Sequence, residues 1–296
     1  MAPLLVSACV PTGNAPPYDA GATATATAAA FRPSTNVMSA PFEDNFDRAD
    51  AGESSWAGLE GGAPKSGGAD AGDAANATAA ANATGDGGEA GAALSPFLKE
   101  AGSEAAAPVV DRSNLGPNWT QVKTSAWKVE GGKLCVQNAH NHGVWLNRTL
   151  PVNVRIEFDA TPFTEDGDVK AEVFGDGTSY ATGTSYTNAT SYLTILGGWK
   201  NTLQALARVN EHAADRKEIK IDKDSDDQRQ RPVQKGQTYH FKIERTDGKT
   251  IRWSVDGVDF FSWNDPNPLA GQGHDHFGFN EWEAKVCFDN VKVTPL

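Results

Sequence analysis

Two histidine pairs, His140-Asn141-His142 and His274-Asp275-His276, are the first residues in this chain whose spacing invites chemistry. Residues two apart on a strand project from the same side, and imidazole is a favoured zinc ligand, but zinc needs three or four donors to converge. Each pair sits beside Asn or Gly, where turns form, so both are read as loop histidines rather than a metal centre. Paired carboxylates are the next possibility, since glycosidic hydrolysis uses two that flank the scissile bond. Glu157-Phe158-Asp159 and Glu281-Trp282-Glu283 each put two acids on one face of a strand, an arrangement equally common on a solvated surface. Nucleophilic catalysis has no signal: there is no G-x-S-x-G elbow, and no cysteine has an evident activating neighbour.

A third chemistry fits the residue types better. Sugars are held by aromatic rings stacked on pyranose C–H faces, with amide, carboxylate and guanidinium groups bonding the hydroxyls. Four runs supply both kinds: HGVWLN with His142 and Trp145, GGWKN with Trp199, ARVNEH with Arg208, Glu211 and His212, and GHDHFGFNEW with His274, Asn280 and Trp282. A single tryptophan is more often core than contact. Arg208 and Glu211 are harder to explain as filling, because buried charges must be paired.

These residues have to be positioned by strands. From residue 119 onward, runs of four to eleven residues alternate apolar and polar between turn formers such as EGG, EDGD, TDGK and VDGV. Thr246-Asp247-Gly248-Lys249 reads as a two-residue type I′ hairpin turn. About a dozen strands in one domain predict two packed antiparallel sheets, a β-sandwich or jelly roll, with a barrel as the main alternative. One short helix is expected over 95–106, with Ser95 as N-cap and Pro96 in the first turn.

The rest of the chain differs in texture. Residues 11–40 and 51–110 are rich in Ala, Gly, Thr, Asp, Asn and Pro and lack the apolar surface needed to offset ordering entropy. Seven of the eight tryptophans fall in 111–296, which is where the core is expected. A net charge of −12 argues against nucleic acid or an anionic membrane surface as partner. Val6-Ser7-Ala8-Cys9 resembles a bacterial lipobox, with Cys9 as the lipidated residue. The apolar stretch before it is short and lacks basic residues, as if the true start lay upstream. Residues 1–9 are read as a truncated lipoprotein-type signal and 10–40 as a disordered tether, giving an exported, membrane-anchored protein whose only membrane contact is that lipid. In an oxidising compartment Cys135 and Cys287 could pair; two singly buried thiols are equally compatible.

FEDNFDRAD, LGPNW, AWKVEGGKL and the closing CFDNVKV together resemble the concanavalin A-like lectin/glucanase fold (LamG-like, laminarinase-like) of bacterial extracellular proteins. The resemblance covers residues 42–50 and 113–296. It implies an all-β two-sheet antiparallel sandwich over 41–296, interrupted by a low-complexity insertion at 51–112, with the opening strand 42–47 paired to the closing one. Loop closure tolerates such an insertion, because its entropy grows only with the logarithm of length. The resemblance also implies a structural calcium, held by Asp289 and by carbonyls near Glu43 and the Gly131-Gly132 turn, as suits a hard cation. The catalytic pattern of laminarinase-like members, E-x-D-x-x-E, lacks its third acid after Asp159. No catalytic residue is therefore assigned. The expectation is a non-catalytic, monomeric module for polysaccharide or glycan. The alternatives are a sugar-processing enzyme using Glu211 and His212 with Asp159 or Glu283, or a structural or adhesion protein.

Overall fold

The architecture comes from a computed structural model, which describes residues 31–50 and 113–296. Cys9, the stretch to residue 30, the insertion at 51–112 and the helix expected over 95–106 lie outside the described residues.

Strict alternation dictates the first layer. In Val154–Pro162 (β6) the apolar residues Val154, Ile156, Phe158 and Ala160 are buried, while Arg155, Glu157 and Asp159 between them are not. This strand sits in mid-sheet. The order is Val258–Asn264 (β13), Thr250–Val255 (β12), Tyr239–Arg245 (β11), β6, Val286–Pro295 (β15), Lys133–Val136 (β4) and Lys128–Glu130 (β3), with Phe42–Asp44 (β1) also on β15. The second layer has seven strands: Lys217–Lys220 (β10), Leu203–Arg208 (β9), Tyr192–Gly197 (β8), Val169–Gly175 (β7), His276–Asn280 (β14), Val144–Leu146 (β5) and Trp119–Gln121 (β2). Neighbouring strands pair antiparallel throughout. The two-sheet sandwich expected from the sequence is the fold.

Between the layers lies an aromatic core. Phe158 stacks on Phe241 with ring centroids 4.7 Å apart and meets Phe279 edge-on at 5.0 Å. Such contacts add to the burial of rings that are fully shielded from water. Removing one of these rings costs about 3–5 kcal/mol.

Three local features refine the sequence reading. WTQVKTSAWKVE is not one strand but two, β2 in one sheet and β3 in the other, with Lys123 at φ 59° where the chain changes layer. The type I′ turn falls at Asp256-Gly257, both at positive φ, between the paired Val255 and Val258. The 246–249 loop has only Gly248 at positive φ; there the Asp247 carboxylate accepts from the Lys249 and Thr250 amides and the Thr250 hydroxyl. The opening strand is shorter than expected, and β1 pairs with β15 as Phe42↔Val293 and Asp44↔Val291.

The ends of the insertion meet. Asp44 accepts from Arg48 at 2.8 Å and from the Trp119 indole at 2.9 Å, while Arg48 also donates to the carbonyls of Asn114 and Leu115. The chain therefore re-enters at residue 113 beside the point it left at residue 50. Within the stretch read as tether, residues 32–38 are bonded to the sandwich. Met38 N–H donates to Thr149 O, and the Ser34 hydroxyl donates to the buried carboxylate of Asp275 at 2.6 Å. Cys135 and Cys287, register partners on β4 and β15, form a disulfide.

Candidate functional site

The site is built on the outward face of the seven-stranded sheet. On β7, Val169, Ala171 and Val173 join the inter-sheet core, so alternation turns Lys170 and Glu172 to the other side. Left bare, that outward face would be an open concave surface. It is covered instead: residues 176–191 fold across it, and Tyr186, Ala181 and Ala189 pack on Leu193, Ile195, Ala205 and Ala207 as a second small core. This explains why β7 and β8 are buried on both faces. Under the cover, Glu172 accepts from the Ser191 hydroxyl (2.6 Å), the Asn280 amide (2.6 Å) and the Tyr186 hydroxyl (3.2 Å). Burial pushes its carboxyl up to about 7 despite those three donors.

One end of this face stays open, as a cleft of about 300 Å³. Trp199, His212 and Trp282 line its walls and Lys170 lies at its floor. The Lys170 ammonium is bonded to Asn141 Oδ1 at 2.9 Å and lies 3.3 Å from Asp168 and 3.4 Å from Glu211. Burial alone would lower the Lys170 pKa, but the two carboxylates outweigh it and raise it overall. Burial also raises Asp168, with Lys170 opposing. Glu211 is fixed further by the Tyr186 N–H at 2.9 Å and stands 3.3 Å from the His212 imidazole.

Each indole is braced. Trp199 lies in a left-handed run, with φ of 51° at Trp199, 57° at Lys200 and 60° at Asn201. That conformation costs about 1–2 kcal/mol per non-glycine residue. It is held by Asn201, whose side chain bonds Val233 N, Val233 O and Glu165 O, and by Asp168 N–H donating to Gly197 O. The Arg216 guanidinium lies 4.4 Å from the Trp199 ring centroid, and His212 meets that ring edge-on. Across the cleft, Trp282 sits in the turn after β14, with its N–H donating to Asp168 and its ring 4.9 Å from His140.

Of the residues expected to contact a ligand, Trp199, Glu211, His212 and Trp282 meet here; the other five do not. Trp145 is core: its indole lies over Gly175 and Gly278, where a Cβ would collide with it, and it donates to Ser179 O at 3.1 Å beneath the cover. Arg208 is tied to Asp265 (2.9 Å) and Asn267 O away from the cleft. Asn280 is fully buried against Glu172. His142 meets Tyr180 of the cover edge-on. His274 bonds Thr190 O at the opposite end of β14, away from this cleft. Of the acids considered for catalysis, Glu283 lines the cleft, whereas Asp159 lies on the other sheet bonded to His240 and Asn290.

Asp168, Lys170 and Asn141 were missed. The alternation of VKAEV, with two charges on the outward side of a central strand, was the available signal for Lys170. Of the donors implied for calcium, Asp289 is bonded by Lys133, so an ammonium already faces the one carboxylate of the set; beside the carbonyls expected near Glu43, the Glu43 side chain is bonded by Lys292. Gly132 takes its turn conformation beside Asp47. Among the described residues no three His, Cys, Asp or Glu are placed to hold a metal ion, and no helix is long and apolar enough to cross a membrane.

Residues 170–291 match a domain of unknown function, DUF6250. That span includes Lys170, Trp199, Glu211, His212 and Trp282. No curated protein matches. Among solved structures, a carbohydrate-binding module of Bacillus subtilis is similar at 18% identity, over 59% of this chain and 94% of that one, with a TM-score of 0.41. A Bacillus licheniformis β-glucanase is similar at 11% identity, over 60% of this chain and 92% of that one, with a TM-score of 0.42.

Proposed function

We propose that this domain is a carbohydrate-binding module whose ligand occupies the Trp199–Trp282 cleft. The observation that carries this is the pair of braced, half-buried indoles at a cleft with a polar floor. Retaining a left-handed backbone run costs stability and persists where the surroundings over-determine it, commonly at sites of function. Here it presents Trp199. Indole faces supply stacking area, while Asp166, Glu283 and His212 offer acceptors and a donor for hydroxyl groups.

Binding is favoured over turnover because the innermost acids are already engaged. Both oxygens of Glu211 have partners, and Asp168 is shared between Lys170 and the Trp282 amide. A general acid or base needs to reach a substrate proton, and these groups instead hold each other. The disulfide supports an exported protein, since such bonds persist in oxidising compartments. The VSAC stretch supports lipid attachment at Cys9.

The test is a polysaccharide-binding panel with wild type, Trp199→Ala and Trp282→Ala. Binding by wild type, with a tenfold or greater loss in either variant and unchanged thermal stability, supports the reading. Binding that survives both substitutions places the ligand elsewhere. Release of reducing sugar by wild type, abolished in Glu211→Gln, would make the protein an enzyme instead.

A further inference from the structure

Resting on that reading, the geometry points to a cleft that takes the terminal unit of a neutral glycan rather than an internal stretch of chain. An open sheet face lets a polymer lie across it and pass out at both ends. Here that path is closed. Along the outward face, Glu172, Leu193, Ile195, Ala205 and Ala207 are shut off from solvent, and Tyr186 is buried on top of them. The cover is not loosely laid. Besides its apolar contacts it is bonded through Ala181 N–H to Asn141 O, Tyr186 N–H to Glu211, and Ser179 O to the Trp145 indole.

What remains is a pocket closed on its inner side by the cover and floored by Lys170, Asp168 and Glu211. Its volume of about 300 Å³ stands at the bottom of the range for small-molecule sites, enough for a sugar unit or two and too little for an extended chain. On this proposal a polymer enters by its end, because the path across the sheet is covered.

The charge of the lining narrows the class. Four carboxylates (Asp166, Asp168, Glu211, Glu283) face two ammoniums (Lys170, Lys200) around the cleft. Lys170 is already matched to two of those acids. An incoming uronate or sulfated sugar would bring a further negative charge into a lining whose four carboxylates already outnumber its two ammoniums, leaving Lys200 alone to meet it. Uncharged hydroxyls meet no such repulsion.

The experiment uses the full chain and five neutral polymers, dextran, mannan, xylan, galactan and a fructan, each intact and after partial acid hydrolysis, with alginate and pectin alongside. Bound protein is measured at equal sugar mass. End recognition predicts that, for the polymer bound, shortening its chains tenfold raises capacity per gram about tenfold while affinity per site is unchanged, and that alginate and pectin bind at least tenfold more weakly. Capacity that stays constant or falls on hydrolysis overturns end recognition while leaving sugar binding intact. Preference for alginate or pectin overturns the neutral-sugar assignment. Binding to none of the seven polymers removes the proposed function itself, and end recognition with it.

Discussion

Glu281 offers the sharpest test of the electrostatics behind the cleft floor. Its side chain is fully buried; one oxygen accepts from Ala139 N–H at 3.2 Å and the other has no partner. Burial pushes the carboxyl up to about 8 from an ordinary 4.5, with Asp168 adding to the rise and Lys170 and the backbone amides opposing it. A shift of that size corresponds to roughly 4–5 kcal/mol of differential stability. The sign follows from the protons. Between pH 4.5 and 8 the native state keeps a proton that the unfolded chain has released, so the contribution of this group to stability is greatest below pH 4.5 and falls as pH rises to about 8. Glu172, raised to about 7, acts in the same direction over a narrower window. Glu281→Gln keeps the shape and removes the ionisation. It should flatten the slope of unfolding free energy against pH by up to about 1.4 kcal/mol per unit between pH 5 and 7.5, leaving the Glu172 contribution. The assay is urea unfolding with the disulfide intact at pH 5, 6, 7 and 8 and constant ionic strength. The variant should gain on wild type by several kcal/mol from pH 5 to pH 8. Parallel slopes for the two proteins would refute the buried, proton-retaining state of Glu281.

Lys170→Met strands Asp168 and Glu211 as uncompensated buried charges and should cost about 3–5 kcal/mol by urea unfolding; a loss under 1 kcal/mol would mean that the ammonium does not hold the floor together. Cys135 and Cys287 close a loop with a sequence separation of 152, so in a chain-entropy account replacing both with serine should cost up to about 5 kcal/mol. The melting temperature of wild type should fall under reductant, and that of the double variant should not respond. Because Lys133 already faces Asp289, and Lys292 the Glu43 side chain beside the expected carbonyls, EDTA and added calcium should both leave the melting temperature unchanged. A rise with calcium, as mass action requires of any ion that binds only the folded state, would show that these lysines give way.

The sandwich was legible because its signal is local. A period of two in VRIEFDA or YHFKIER commits each strand to an inner and an outer face, and the opening and closing strands of the sandwich, far apart in the chain, meet as β1 and β15. The cleft was only half legible, for a reason that separates Trp199 from Trp145. Trp199 stands in GGWKN beside polar residues, and its exposure follows from a left-handed turn that its glycine and asparagine neighbours make feasible. Trp145 stands in HGVWLN between Val144 and Leu146, which face the inter-sheet core, and it is buried on the other side because two glycines, Gly175 and Gly278, come beneath it from strands far away in the chain. No spacing within the chain reveals that partnership. The cover was missed for the same reason. SYATGTSYTNATSY has the composition of a solvated loop, and it is Glu172 with Leu193, Ile195, Ala205 and Ala207 on the sheet below that turns Tyr186 into a plug. Polar composition therefore marks where a segment can face water and not where it does. In this protein that difference converts an open face into a covered one with a cleft at its end, and the proposed end recognition rests on that cover.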